Sequence, residues 1–391
     1  MNTTTAEPSL PRWLPWLLAC TAGATVANIY YCQPLLDAMA ASFGVGVEAV
    51  SNAAATTQLG VAVGMLSIVP LGDSHERKRL IVLVTAVSAV TLAATALCRS
   101  VVMLGVAGFA TGAFGVAQHL VVPYAAGTVG PERRGQTVGF VMSGLLLGVL
   151  LSRTFSGIVG AHRGWRAVYW LAAGAMLALA SLLAAVLPSQ RPARRVPYGE
   201  LLRSLWPLLL REPVLRRHAF IGAVGMGAFS AFWTTLAFFL AALPGHYGSE
   251  TAGVFGLVGA AGAAAAVVSG RLADRVGPRP LNGTALGLII ASFGLMAVAG
   301  RSLGWLAVGV VVMDAGVQAS HISNQTRVYG LSGELRNRLN AIYMVCYFLG
   351  GAVGSTLGSR AWVAYGWPGV CATGAAFGAA GLVALFAVAH P

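Results

Sequence analysis

The stretch Leu80-Ile81-Val82-Leu83-Val84-Thr85-Ala86-Val87-Ser88-Ala89-Val90-Thr91-Leu92-Ala93-Ala94-Thr95-Ala96-Leu97-Cys98 contains no charged residue. Arg77-Lys78-Arg79 closes it on one side and Arg99 on the other. A helix rises about 1.5 Å per residue, so a run of this length matches the roughly 30 Å hydrocarbon core of a bilayer. Backbone amides find no water in lipid, and a helix satisfies them within one segment. The stretch predicts a membrane-crossing helix with its charges at the two interfaces.

The same pattern fills the chain. Apolar runs lie at 13–40, 50–71, 80–98, 101–127, 137–160, 167–187, 218–243, 251–269, 281–299, 305–328, 339–361 and 367–388, numbered here as spans 1 to 12. The composition agrees, with 57% hydrophobic and only 9% charged residues, where a soluble chain carries about 25% charged. Fifty glycines fit as well, since Gly is more frequent in transmembrane helices than in soluble ones. At roughly 30–35 residues per span and connection, twelve spans consume the 391 residues and leave no room for a soluble domain. The predicted fold is an all-α polytopic membrane protein. The run after Arg12 reads as a retained first span, because it continues from Trp13 to Ala40 without a convincing cleavage site. The cysteines (Cys20, Cys32, Cys98, Cys346, Cys371) are scattered and form no CxxC pair. Neither a disulfide framework nor a metal site is expected from them.

Loop charge sets an orientation. The N-terminus and the loops after even-numbered spans hold 19 basic residues, among them Arg77, Lys78, Arg79, Arg133, Arg134, Arg336 and Arg338. The opposite loops hold five: Arg99, Arg163, Arg166, Arg301 and Arg360. The positive-inside rule makes the richer side cytoplasmic, with both termini there. The net charge of +13 is thereby a topology signal. It is not a nucleic-acid footprint, which requires basic residues clustered on one soluble face.

Landmarks recur at a nearly constant offset. Asp73 returns as Asp274 after 201 residues. His119 and His321, Arg134 and Arg336, Gly148 and Gly350, and the pairs Gly164-Trp165 and Gly366-Trp367 are all 202 apart. The chain is expected to form two pseudo-symmetric six-helix halves, 1–187 and 218–391, joined by a basic cytoplasmic linker, 188–217. Parallel halves of this kind place a substrate site near the midplane between them.

The loop after span 8 reads Gly270-Arg271-Leu272-Ala273-Asp274-Arg275-Val276-Gly277, and the loop after span 2 keeps Asp73, Arg77 and Lys78 of the same pattern. With the 6+6 layout, these motifs make the chain resemble the major facilitator superfamily along essentially its whole length. The segment Asn28-Ile29-Tyr30-Tyr31-Cys32-Gln33-Pro34-Leu35-Leu36 resembles bacterial members of its drug, sugar and nucleoside efflux branch, which are proton antiporters. The resemblance implies a bacterial inner-membrane permease with twelve transmembrane helices, functioning as a monomer. It also implies a gating role for Asp73, Arg77, Asp274 and Arg275, through charge-assisted bonds across helix ends on the cytoplasmic face. The basic residues there also fix topology. Two departures stand out. Gly108 occupies the helix-4 position where such antiporters carry Arg, and the late helix-5 Gly-Pro is absent, with Arg153 in that stretch.

Ionisable residues inside spans are functional candidates, because burying them is costly. Asp314 in span 10 and Arg153 in span 5 lie at similar depth in the outer half. They can pair directly, pair through substrate or water, or simply lock the halves together. Asp314, Gln318, His321 and Gln325 follow i, i+4, i+7, i+11 within an arc of about 60°, with Ser320 and Asn324 beside them. Such a stripe faces a cavity or bonds to other helices; four polar groups on one stripe favour the cavity. Asn28, Tyr31 and Gln33 in span 1, Gln118 and His119 in span 4, Trp233 in span 7, and Tyr343 and Tyr347 in span 11 complete the candidate substrate site. Either His could equally be a satisfied core group, and isolated aromatics also serve as packing.

The expected function is secondary active transport by alternating access. It is read as proton-coupled efflux of a small organic solute resembling a drug, sugar or nucleoside. Asp314 is the expected proton carrier, with Arg153 and His321 in the coupling. No Walker-type phosphate cradle is present, so ATP is not the expected energy source, and no cofactor is expected. The expected partners are a small-molecule substrate, protons and the lipid bilayer, and no nucleic acid. An uptake permease for a small polar metabolite shares all these features. An enzyme needs a catalytic cluster that the few ionisable groups do not supply, and a non-transporting sensor usually adds an output domain.

Overall fold

The structure is a computed structural model that describes residues 11, 13–190, 198–259, 261–262, 277–332 and 335–387; for Asp73, Pro131, Leu201 and Asn337 only the backbone is described. No strand occurs among the described residues, which are helical almost throughout. Nine of the helices described are long and apolar enough to cross a membrane. These nine hold ten of the twelve spans, because one of them carries two, and spans 1 and 8 account for the rest. Span 1 is broken into Leu14–Tyr30, a 3-10 turn Gln33–Leu35 and Leu36–Phe43, since Pro34 has no amide hydrogen to continue the ladder. Span 8 is helical over 249–259, and most of its remainder lies outside the described residues. Spans 11 and 12 run together as Arg336–Phe386, bent where Gly366 leaves helical geometry.

Two spans begin earlier than their apolar runs. Span 5 starts at Pro131 and span 7 at Pro213. Proline suits the first helical turn because its missing amide hydrogen is not needed there. Arg133, Arg134, Arg216 and Arg217 therefore ride on helix ends, where a hydropathy reading places them in loops. Between the halves lies a further helix, Tyr198–Arg211, with Leu205 buried and Trp206 and Leu210 exposed. The segment before it docks on the first half: the Tyr124 hydroxyl donates to the Pro188 carbonyl at 2.8 Å, and the Ser189 hydroxyl donates to Glu76 at 2.6 Å.

The internal repeat is physical. Gly164 and Gly366, 202 apart, both take positive φ (78° and 64°) where one span turns into the next. A side chain there would be strained, so glycine recurs. Helix packing repeats in the same register. Gly60 lies against the backbone of Phe109 and Ala113, and Gly262 lies against that of Val311 and Ala315. All three pairs are 202 residues apart. Spans 2 and 4 thus cross as spans 8 and 10 do.

The halves meet on the side away from the basic loops. Thr154 donates to the Gly253 carbonyl at 3.0 Å, Ser249 to the Gly157 carbonyl at 3.4 Å, and Arg360 bonds Glu48 at 3.2 Å. Toward the basic side a cavity opens between the halves. Arg77 and His119 line it from one half, and Arg338 and Asn340 from the other.

Candidate functional site

Span 5 carries Arg153 to the seam between the halves, where it is 1% exposed. The 3-10 turn imposed by Pro34 presents Gln33, and the Arg153 Nε donates to Gln33 Oε1 at 2.6 Å. The guanidinium also sits over three rings: Trp233 at 4.1 Å, Tyr30 at 4.9 Å and Phe229 at 5.2 Å. A desolvated cation gains about 2 kcal/mol from a well-placed ring, which offsets part of the several kcal/mol that its burial costs. The fork is not saturated. Nη1 makes only a long bond to the Val149 carbonyl, 3.5 Å, and Nη2 has no partner.

Asp314, 5% exposed, comes from span 10 of the other half. Two glycines of span 8 make room for it: a side chain at Gly259 would collide with Asp314 Oδ2, and one at Gly262 with its Cβ. Oδ1 has no hydrogen-bond partner. Arg153 and Asp314 make no direct ion pair, although each lies in the other's field. Trp233 lies against both. Its ring face carries the guanidinium, and its indole N–H acts on the Asp314 carboxylate without reaching full hydrogen-bond geometry. The two charged side chains, both nearly fully buried, therefore each keep a free polar atom there.

The rest of the span 10 stripe runs from this centre toward the basic side. His321 Nδ1 lies 2.9 Å from the Tyr343 hydroxyl, and the His321 ring packs on Tyr347 with centroids 4.6 Å apart. Tyr347 in turn lies within electrostatic range of both Tyr30 and Asp314, and His119 within that of His321. Gln318 and Gln325 are half-buried on the same stripe.

Several expected residues sit elsewhere. Asn324 belongs to a satisfied interhelical knot. Its Oδ1 accepts from Asn282 and meets His218 Nδ1, each at 2.7 Å, and its Nδ2 donates to Ser320 at 3.3 Å. This side of the polar stripe bonds helices together, and the Asp314–His321 side faces the centre. Tyr31 packs against Phe155 in the first half's core at 5.8 Å, and Tyr30 takes the place at the arginine. Asn28 faces a cavity inside the first half, with Cys32, Thr57 and Thr111, and both its amide atoms lack partners. Gln118 is buried with an unpartnered Oε1. Arg77 donates to the Gly72 and Pro123 carbonyls, tying the loop after span 2 to span 4 of its own half. The Asp73 side chain, Asp274 and Arg275 lie outside the described residues.

The geometry adds residues that the sequence reading passed over. Phe229 stands four residues before Trp233 on the same helix, a spacing that puts the two on one face, and Tyr30 is the last residue of the helix before the turn that carries Gln33. Gln58 of span 2 and Ser230 of span 7, each with a buried oxygen lacking a partner, flank Gly351 of span 11. Among the described residues no group of three or more His, Cys, Asp or Glu could hold a metal ion.

Two bent six-helix halves with a charged seam between them have clear counterparts. The family model of the Major Facilitator Superfamily matches residues 17–355. The chain belongs to this superfamily. The uncharacterised transporter YgaY of Escherichia coli (strain K12) is 39% identical over 361 residues, covering 92% of this chain and 91% of YgaY. The transporter SCO4007 of Streptomyces coelicolor is 36% identical over 368 residues, covering 93% and 85%. Among solved structures, a point mutant of the nucleoside transporter NupG superimposes with a TM-score of 0.76 at 14% identity, covering 96% of this chain and 99% of that one. A bacterial homologue of the human lysosomal transporter Spinster, inward-facing and unoccupied, gives 0.74 at 14% identity, covering 95% and 93%. The superfamily member described here is thus a multi-pass membrane protein and a secondary transporter.

Proposed function

We propose that this superfamily member exports a small organic solute from a bacterial cell in exchange for protons, from a site centred on Arg153, Trp233 and Asp314. The observation that carries the reading is the unsaturated charge centre at the seam. A structural ion pair closes on itself, whereas here Arg153 Nη2 and Asp314 Oδ1 are buried without hydrogen-bond partners. Asp314 carries the proton, Arg153 answers its change of charge, and His321 with Tyr343 and Tyr347 continues the site toward the basic side. That side is cytoplasmic, with both termini, and the cavity lined by His119 and Arg338 lies toward it. The protein resides in the inner membrane and works as a monomer, its halves 1–187 and 218–391 rocking about the linker. Arg77 and the acidic loop residues Asp73 and Asp274, with Arg275, brace the basic-side gate.

The test is Asp314→Asn in proteoliposomes, using a labelled solute found by screening sugars, nucleosides, amino acids and cationic drugs for thermal stabilisation. The variant is expected to lose uphill transport driven by a pH gradient and to keep counterflow exchange. Undiminished pH-driven transport would remove Asp314 from the mechanism. Gly108 and Arg153, standing where efflux members carry Arg and Gly-Pro, favour the second reading, proton-coupled uptake. Accumulation of the solute by expressing cells, in place of its exclusion, would establish uptake.

A further inference from the structure

We propose that the centre takes an amphoteric solute, one that carries a carboxylate and an ammonium group on a small skeleton with an aromatic or aliphatic part. This rests on reading Arg153 and Asp314 as the transport site, and it names the chemical class that the site accepts. The free atoms come in two opposite kinds. Arg153 Nη2 is a cationic donor and Asp314 Oδ1 an anionic acceptor, both without partners and both on side chains at least nine-tenths buried. They are close enough to act on each other but form no pair. A guanidinium whose Nε is already fixed by Gln33 offers its remaining edge to a carboxylate, for which its planar fork is suited.

Charge balance discriminates among ligands. A simple anion would satisfy Arg153 and set a second negative charge near Asp314. A simple cation would satisfy Asp314 and add a positive charge beside Arg153. A neutral polyol would reach the donors and bring no charge to either ion. Only a ligand with both charges gives each buried ion a counter-charge, in a head-to-tail row of guanidinium, carboxylate, ammonium and carboxylate, while adding no net charge. The aromatic side chains around the row, Tyr30, Phe229 and Tyr347, offer apolar surface for the rest of the molecule.

The test uses four probes on one skeleton with the purified full-length protein: L-phenylalanine, N-acetyl-L-phenylalanine, L-phenylalanine methyl ester and the doubly blocked N-acetyl methyl ester. A matching leucine set covers an aliphatic side. Affinity is read by titration calorimetry and by thermal shift. The free amino acid of at least one set is expected to bind about tenfold or more tighter than each blocked form, the scale of one lost charged contact. Equal binding by a singly charged form, or no binding by either free amino acid, overturns the proposal.

Two variants assign the ends. Asp314→Asn is expected to abolish the penalty for N-acetylation and keep that for esterification, and Arg153→Gln to do the reverse. A purely structural role would weaken all probes alike. Arg153→Lys, which keeps the charge, should retain the wild-type ranking, and the wild-type ranking is decisive by itself if a variant fails to fold. The two readings also fail separately. If Asp314→Asn uncouples transport but the probes bind without regard to charge, the amphoteric ligand falls and the proton carrier stands. Amphoteric selectivity with intact pH-driven transport in that variant gives the converse.

Discussion

Gln33 offers the sharpest test of how the centre is built. Gln33→Leu keeps most of the side chain's bulk and removes the acceptor that holds Arg153 Nε at 2.6 Å. Hydrogen bonds to charged groups contribute about 1.5–3 kcal/mol in soluble proteins. Polar pairs inside membranes average about 0.6 kcal/mol and reach about 1.7. This bond is short, charge-assisted and buried at both ends, and the guanidinium's other polar contact is the long one to Val149. The expected loss therefore sits near the top of the membrane range, about 1.5 kcal/mol or roughly a tenfold shift in the unfolding equilibrium. The three ring faces remain, so Arg153 stays in place but loses its orientation. Unfolding in rising SDS, followed by circular dichroism, would be compared for wild type, Gln33→Leu, Arg153→Met and the double variant. If Gln33 works through Arg153, its replacement costs close to nothing once the arginine is gone, and the coupling energy recovers about 1.5 kcal/mol. Additivity of the two single changes within about 0.5 kcal/mol would refute the reasoning and make Gln33 an independent packing residue.

Two further substitutions separate scaffold from site. Asn324→Leu strips His218, Asn282 and Ser320 of their common partner. It should lower stability by about 2–3 kcal/mol in the same SDS assay while leaving solute affinity within about twofold. Gly60→Val and Gly262→Val should both abolish the monodisperse peak in size-exclusion chromatography, because each side chain would have to displace backbone of the neighbouring span. Gly139→Ala, with open space around it, should leave the peak unchanged.

What the sequence made legible follows from what is expensive in lipid. Charges are costly there, so the apolar runs mark the spans and the stray ions Arg153 and Asp314 mark the centre. Pro34 announces its own break, and the 202-residue offset anticipates the shared backbone turn at Gly164 and Gly366. Phase was harder. Tyr30 and Tyr31 are adjacent, about 100° apart around a helix, and the 3-10 turn that follows resets the face that Gln33 presents. Only the packing of span 5 against span 1 decides that Tyr30 meets the arginine and Tyr31 meets Phe155. The partners of Asn324 were illegible for a similar reason. His218 and Asn282 sit on other helices, 106 and 42 residues away, and nothing in the local pattern of span 10 points to them. Span starts failed at Pro131 and Pro213, because a hydropathy window stops at the arginines that the helix carries into the interface.

The repeat also shows where the site departs from its scaffold. Gly112 stands in the first half where Asp314 stands in the second, and it packs against the backbone of Thr57; in the second half Gly259, the counterpart of Thr57, yields the space that the Asp314 carboxylate fills. Ser355 is the counterpart of Arg153, and it bonds Thr234 at 2.9 Å. The packing is duplicated, but each charge occurs once, the cation on one half and the anion on the other. The proposed rocking of one half against the other is therefore expected to move the guanidinium relative to the carboxylate. The same seam continues along span 8, away from the basic loops. Gly253 receives the hydrogen bond of Thr154, Gly256 lies against the Arg153 Cβ, and Gly259 lies against Asp314. One helix face thus touches the closed end of the seam, the arginine and the carboxylate in succession. On the reading proposed above, a solute entering between the charges would press on the same span that Thr154 holds at Gly253, so occupancy of the centre and closure of the seam are expected to be coupled.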